Sequence, residues 1–171
     1  FEQPALVYDD IIIGSGLSAL GTALGLPAKR RVLVLAGYPQ ALSQYYDSSR
    51  AVPCAHLGLG GLGNFWHGVI PTGAQKLGSD ATESDFIRLF KHFYARDDVA
   101  SRIGQPFLFV PLRPIRPKAE WPRIAAQPDR RLELLQEPAD RFSIDGSSVT
   151  VWTKSGRITG KRLWICSGAL H

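Results

Sequence analysis

The sequence holds no methionine and only two cysteines, Cys54 and Cys166, among its 171 residues. They lie far apart, with neither CxxC nor metal-ligand spacing, which excludes a disulfide framework and a thiolate metal site. Small and apolar neighbours surround each, so both read as buried thiols acting as small hydrophobes. Long apolar runs are missing too: nothing approaches the roughly 18 residues a membrane span needs. Phe1-Glu2-Gln3-Pro4 has neither the basic start nor the apolar core of a signal peptide, and the missing initiator Met fits a sequence that begins inside a longer product. The expected setting is cytoplasmic, with a periplasmic one open to a full-length parent. A dense basic stretch is the third absence. The formal charge is +5, yet the basic residues are dispersed over Lys29-Arg30-Arg31, Arg113, Arg116, Lys118, Arg130-Arg131, Arg157 and Lys161-Arg162. They read as solvated loop and strand-edge positions. This excludes nucleic acid as a partner and leaves a modest attraction for anionic cofactors or substrates.

What is present suffices for one ordinary domain, with 44% hydrophobic and 20% charged residues. Asp9 to Ile13 is a short apolar run that reads as a strand buried on both faces, as in a parallel sheet. From Leu17 to about Leu26, Leu17, Leu20 and Leu24 recur at helical spacing beside the small Ala19, Gly21 and Ala23, and Pro27 closes the helix. Arg31 to Leu35 gives a second strand, stopped by Gly37 and Pro39. These three segments form a βαβ unit.

The middle is glycine-rich, centred on Leu57 to Gly68, where backbone approaches something closely or takes positive φ. A helix is expected from about Thr82 to Tyr94, with Phe86, Leu89, Phe90 and Phe93 on one stripe. Pro106 to Pro122 reads as an extended connector. From Arg131 the period becomes two: Leu132–Leu135, Arg141–Ile144, Ser148–Thr153 and Arg157–Thr159 read as short strands. Asp145-Gly146 and Ser155-Gly156 mark the hairpin turns. A last apolar strand, Arg162 to Cys166, runs into Ser167-Gly168-Ala169. The fold class expected is therefore α/β and Rossmann-like, with a parallel sheet plus an antiparallel meander.

The turn Gly14-Ser15-Gly16-Leu17-Ser18-Ala19 between strand and helix carries the chemistry. Gly14 permits the tight turn, Gly16 lets backbone approach a pyrophosphate, and Ala19 lets helix pack close to sheet. The helix N-terminus then offers free N–H groups and partial positive charge to the phosphates. An acidic residue ordinarily follows the second strand to hold the ribose. Ala36 stands there, so other groups must hold it; Asp47 and Ser48 follow in sequence and read as a solvated loop.

The turn within Tyr8 to Ala19, the strand Arg31 to Gly37, the loop Gly60 to Pro71 and the ending Leu163 to Leu170 together resemble the FAD domain of glucose-methanol-choline (GMC) oxidoreductases. The loop Gly60-Gly61-Leu62-Gly63-Asn64-Phe65-Trp66-His67-Gly68 is most similar to that of the pyranose oxidase-like, sugar-oxidising branch. The resemblance implies FAD as cofactor, with this loop wrapping the flavin. It further implies cofactor contacts at Gly14, Ser15, Gly16, Leu17, Ser18, Ala36, Gly37, Gly60, Gly61, Leu62, Gly63, Asn64, Trp66, His67, Gly68, Ser167, Gly168 and Ala169. By the same analogy the strand holding Leu134 lies against adenine through its backbone. In that branch the loop carries a histidine bonded covalently to flavin; the matching residue here is Phe65, which excludes such a bond through that position. His67 reads as bonding its own loop.

The resemblance implies an enzyme of the CH–OH-oxidising class that transfers hydride from an alcohol or sugar to flavin. The family's catalytic histidine pair, or histidine and asparagine, has no match: His56, His67, His92 and His171 cannot be assigned it by position. The catalytic residues are expected outside this chain, which reads as the N-terminal portion of an oxidoreductase, 1–171 being its FAD-binding domain and 72–130 an irregular and helical insertion. Two rivals remain: an NAD(P)-dependent dehydrogenase domain using the same turn, and a non-catalytic nucleotide-binding module.

Overall fold

The computed structural model describes residues 7–45, 53–66, 70–72, 107–109 and 114–168. The helix expected over 82–94, and Asp47, Ser48, His67, Gly68 and Ala169, lie outside them. The chain divides into two compact units, residues 1–65 with 116–171, and residues 66–115. In the second, strands Ile70–Thr72 and Phe107–Phe109 pair antiparallel.

The first unit holds two four-stranded sheets. Strands β1 (Val7–Tyr8) and β2 (Asp10–Ile13) are followed by α1 (Leu17–Gly25), β3 (Arg31–Leu35), β4 (Leu42–Gln44), β5 (Ala55–Leu57) and a 3₁₀ turn, Gly61–Phe65. With the pair in the second unit counted as β6 and β7, the chain continues through α2 (Pro117–Ala125), β8 (Arg131–Leu135), β9 (Arg141–Asp145), β10 (Ser148–Thr153), β11 (Gly156–Gly160) and β12 (Leu163–Ile165). One sheet is wholly parallel, in the order β12-β2-β3-β8. The other, β1-β11-β10-β9, is an antiparallel meander with β1 added in parallel. The expected α/β fold with parallel sheet and meander is present.

Alternation along each parallel strand feeds two cores. Tyr8, Ile11, Leu33 and Leu35 pack with Val149 and Val151 of the meander. Ile12, Val32 and Val34 are equally buried and point to the opposite face, and α1, which packs on β2, buries Ala19, Leu20 and Ala23. The small side chains at 19 and 23 bring helix and sheet close, as the sequence suggested for Ala19.

The expected strand Asp9–Ile13 is β2, starting at Asp10; Asp9 separates it from β1, its N–H donating to the Arg31 carbonyl (2.9 Å) and its carboxylate accepting from the Arg31 N–H (3.0 Å) and Lys161 Nζ (2.7 Å). Four expectations are corrected. Leu132–Leu135 belongs to the parallel sheet as its edge and not to the meander; its alternation arises because Leu132 faces inward while Glu133 is solvated and holds Tyr8 and Arg31. The connector Pro106–Pro122 gives way to α2 at Pro117. Proline at N1 lacks only an N–H that a helix start leaves unpaired, and it holds Arg116 extended before it. The basic residues are not simply solvated: Arg30 and Arg162 ion-pair with the fully buried Asp10, and Arg130 donates to the Ala23 carbonyl (2.9 Å) near the end of α1. Both cysteines are part-exposed rather than buried, and neither is in a disulfide.

Candidate functional site: a glycine-lined cleft at the carboxyl ends of the parallel strands

The parallel strands aim their carboxyl ends at one cleft of about 550 Å³, whose walls include Ile13 ending β2, Leu35 ending β3 with Ala36 after it, Pro138 and Ala139 after β8, and Cys166 after β12. Open parallel sheets place ligands at this edge. The wall between β2 and α1 is Gly14-Ser15-Gly16-Leu17-Ser18.

Gly14 has φ +108°, and a Cβ there would collide with the Cys166 carbonyl, so the fold itself demands glycine. Gly16 is different. Its φ is −75°, open to any residue, and among the described residues a Cβ would meet nothing nearer than the Gly60 carbonyl at 3.9 Å. It is the N-cap of α1, and neither a capping side chain nor an acidic residue serves that helix's first turn. The first N–H groups of α1 therefore stand at the cleft without a capping side chain among the described residues. That is the donor set an anionic phosphate group requires.

Ser15 joins the two glycine segments. Its buried Oγ accepts the Gly60 N–H at 2.9 Å and lies 3.4 Å from both the Ala36 and Gly58 carbonyls. Trp121 of α2, fully buried, donates from Nε1 to the Ser15 carbonyl at 2.7 Å. The second segment thus lies against the first, with Gly61 at φ +53° placed where a Cβ would be 3.6 Å from the Gly16 Cα. Gly63 fits under Leu17 and Pro117, each 2.9 Å from where its Cβ would be.

Of the residues singled out from sequence, Gly37, Gly61, Leu62 and Gly63 also line the cleft, as do Ser167 and Gly168 on the far side. Gly60 and Asn64 support it from behind: Asn64 donates to the Leu59 carbonyl (2.8 Å) and accepts from the Lys118 N–H (3.0 Å), tying the loop to α2. Leu134 is placed elsewhere, on a second cavity of about 310 Å³ between the parallel edge and the meander, beside Glu133, Leu135 and Ser155. Trp66 opens the other unit.

Sequence reasoning missed Tyr38, Pro138 and Ala139, and the strand pair β4–β5, which brings Ala55, His56, Leu57 and Gly58 to the cleft. Cys166 lines it too, its Sγ 3.7 Å from Thr22 Oγ1 of α1. The Ala36 gap is real: its N–H is taken by the Leu135 carbonyl (2.8 Å), and no Asp, Glu, Lys or Arg lines the cleft among the described residues. These residues also form no cluster able to hold a metal ion, and no helix among them is long and apolar enough to cross a membrane.

The charged groups gather at the opposite, amino-terminal end of the sheet. Burial pushes the Asp10 carboxyl up, but hydrogen bonds from Arg30, Trp164 Nε1 (2.9 Å) and Arg162 Nε (2.8 Å) outweigh it and hold it below the usual range. Lys161 and the Arg31 N–H hold Asp9 at about 2. Burial and the bond to Glu133 push Tyr8 up to about 12.

Protein-family models yield no match to this chain, and neither do curated protein sequences. Solved structures do. A thioredoxin reductase from Streptococcus pyogenes is similar at 14% identity and TM-score 0.44 over 98% of this chain and 37% of its own. A p-nitrophenol 4-monooxygenase from Pseudomonas putida has 15% identity and TM-score 0.43 over 93% and 39%. An L-amino acid deaminase from Proteus myxofaciens has 15% identity and TM-score 0.44 over 97% and 47%. The chain thus spans less than half the length of each of these three.

Proposed function

We propose that this chain supplies the FAD-binding site of a flavin-dependent oxidoreductase acting on CH–OH groups of alcohols or sugars. Gly16 carries the reading. Among the described residues nothing internal to the fold requires glycine here, yet it stands at an uncapped helix N-terminus on the wall of the 550 Å³ cleft. A pyrophosphate lying against it accounts for the missing side chain.

The fit extends to the rest of the cleft. Backbone N–H groups of Leu17 and Ser18 would meet the phosphates, Gly37 and Tyr38 the adenosine side, and Gly61 to Gly63 the flavin side. FAD, when bound, supplies hydride acceptance; this chain's residues orient the cofactor and exclude water from it. The CH–OH donor class rests on the resemblance of the Gly60–Gly68 loop to the GMC family, which also implies a nucleotide contact at Ser167 and Gly168, two residues that line the cleft.

Thermal unfolding with FAD, NAD and NADP tests the cofactor. Ligand at a hundred times its Kd stabilises by about 2.7 kcal/mol, several degrees for a domain of this size. FAD alone should raise the midpoint; a rise with NAD or NADP instead would move the reading to a nicotinamide domain. The donor class is tested on the natural gene product with FAD bound and oxygen excluded. Bleaching by sugars or alcohols supports it, and bleaching only by amino acids or a reduced nicotinamide would replace it.

A further inference from the structure

Among the described residues the cleft holds one imidazole. His56, on β5, lines it beside Ala55, Leu57 and Gly58. Ser43 Oγ lies 2.8 Å from Nδ1, and the ring stands edge-on to Phe65, centroids 5.2 Å apart at 73°. Gly58 makes room for it, since a Cβ there would be 3.3 Å from Nε2. Ring orientation is thus fixed from three sides, with Nδ1 engaged by Ser43 and Nε2 the second ring nitrogen. Among the described residues no lysine or arginine lines the cleft, so of these the α1 N-terminus and this ring would meet the charge of a pyrophosphate there.

We propose that His56 is a phosphate-binding residue of this cleft, donating from Nε2 to the pyrophosphate of the bound dinucleotide and taking up a proton as the dinucleotide binds. This rests on the dinucleotide reading above and goes beyond it by assigning a contact that the glycine motif does not contain. The groups facing His56 are Ser43 of β4, Phe65 of the 3₁₀ turn and, on α2, Lys118, the one charged group among them. Burial first and the Lys118 charge second lower its pKa below 6.5, so the empty cleft holds the ring neutral at pH 7. A dianionic pyrophosphate reverses the electrostatic contribution and raises it. The sign follows: affinity is highest below the empty-state pKa and declines as pH rises through the bound-state pKa.

The test is the Kd of FAD between pH 5.5 and 8.5 at constant ionic strength, for the wild-type chain, His56→Gln and His56→Ala. FAD is the right probe because its pyrophosphate diester does not titrate in this window. Each unit by which binding raises the histidine pKa changes Kd up to about tenfold across the window. Wild type should bind about tenfold more tightly at pH 5.5 than at 8.5, with proton uptake measured calorimetrically in two buffers. His56→Gln, which keeps an N–H but cannot ionise, should flatten the profile while staying within about threefold of wild type at pH 8.5. A wild-type profile already flat, or the same slope in His56→Gln, would overturn the proposal and leave the FAD reading standing. Absence of any saturable FAD binding by the wild-type chain would overturn both.

Discussion

Gly14 and Gly16 are two residues apart and need glycine for different reasons. At Gly14 the backbone lies at φ +108° and a side chain would run into the Cys166 carbonyl. Gly14→Ala is therefore expected to destabilise the fold by about 1–3 kcal/mol from backbone strain, with steric conflict adding to it; a urea midpoint measured by tryptophan fluorescence checks this. At Gly16 neither cause operates, and the loss on Gly16→Ala should be confined to poorer capping of α1, under about 1 kcal/mol. Both glycines are legible in the sequence as a phosphate turn. Their division into a glycine the fold demands and one it leaves free for a ligand to explain is not, because it depends on Cys166, 152 and 150 residues away in the chain, lying over one and not the other.

Among the elements, α2 ties the cleft walls together through Trp121, whose indole N–H donates to the Ser15 carbonyl at 2.7 Å in a fully buried setting. Trp121→Phe keeps an aromatic ring but leaves that carbonyl without its partner, at a cost of about 1–3 kcal/mol. Its FAD Kd should weaken as well, since Ser15 positions both glycine segments; equilibrium unfolding and FAD titration of the one variant check the two effects. This element was hidden from sequence reasoning by its prolines. Pro117 opens the helix and Pro122 sits inside it, and a run of prolines reads as extended chain unless one of them is recognised as a helix start. The apolar strands β2 and β3 were legible because strands covered on both faces are continuous apolar runs. Strand β8 was misplaced because an edge strand carrying Glu133 alternates like a meander strand. His56 could not be found at all: β4 and β5 are three residues each, and only their pairing, with His56 opposite Ser43, brings the ring to the cleft.

Across the first unit, the buried ion pairs and the glycine-lined cleft occupy opposite ends of one parallel sheet. Asp10 at the amino end draws Arg30, Arg162 and Trp164 together, which fastens the starts of β2, β3 and β12. Breaking a buried ion pair costs about 3–5 kcal/mol, less when the cations can reach water. Arg30 and Arg162 are part-exposed, so Asp10→Asn should cost about 2–3 kcal/mol by urea unfolding while leaving the FAD Kd of the folded chain unchanged. The pH dependence has a definite sign. Asp9 at about 2 and Asp10, also lowered, both sit below their unfolded value of 3.8. Their contribution is complete above the unfolded pKa and is lost as pH falls through the folded one, so stability should decline from about pH 4 towards pH 2. Asp10→Asn should show a shallower decline in the same acid titration.

The central claim is that the glycine-lined cleft exists to hold a dinucleotide, and Gly16 isolates that claim from the fold. The measurement is a fluorescence titration of FAD against the wild-type chain and Gly16→Ala, with urea unfolding of both. Saturable one-to-one binding by wild type, lost by at least tenfold in a Gly16→Ala chain whose stability falls by less than about 1 kcal/mol, is the result the structure predicts. Equal FAD affinity in the two chains, or no saturable binding by wild type, would contradict it.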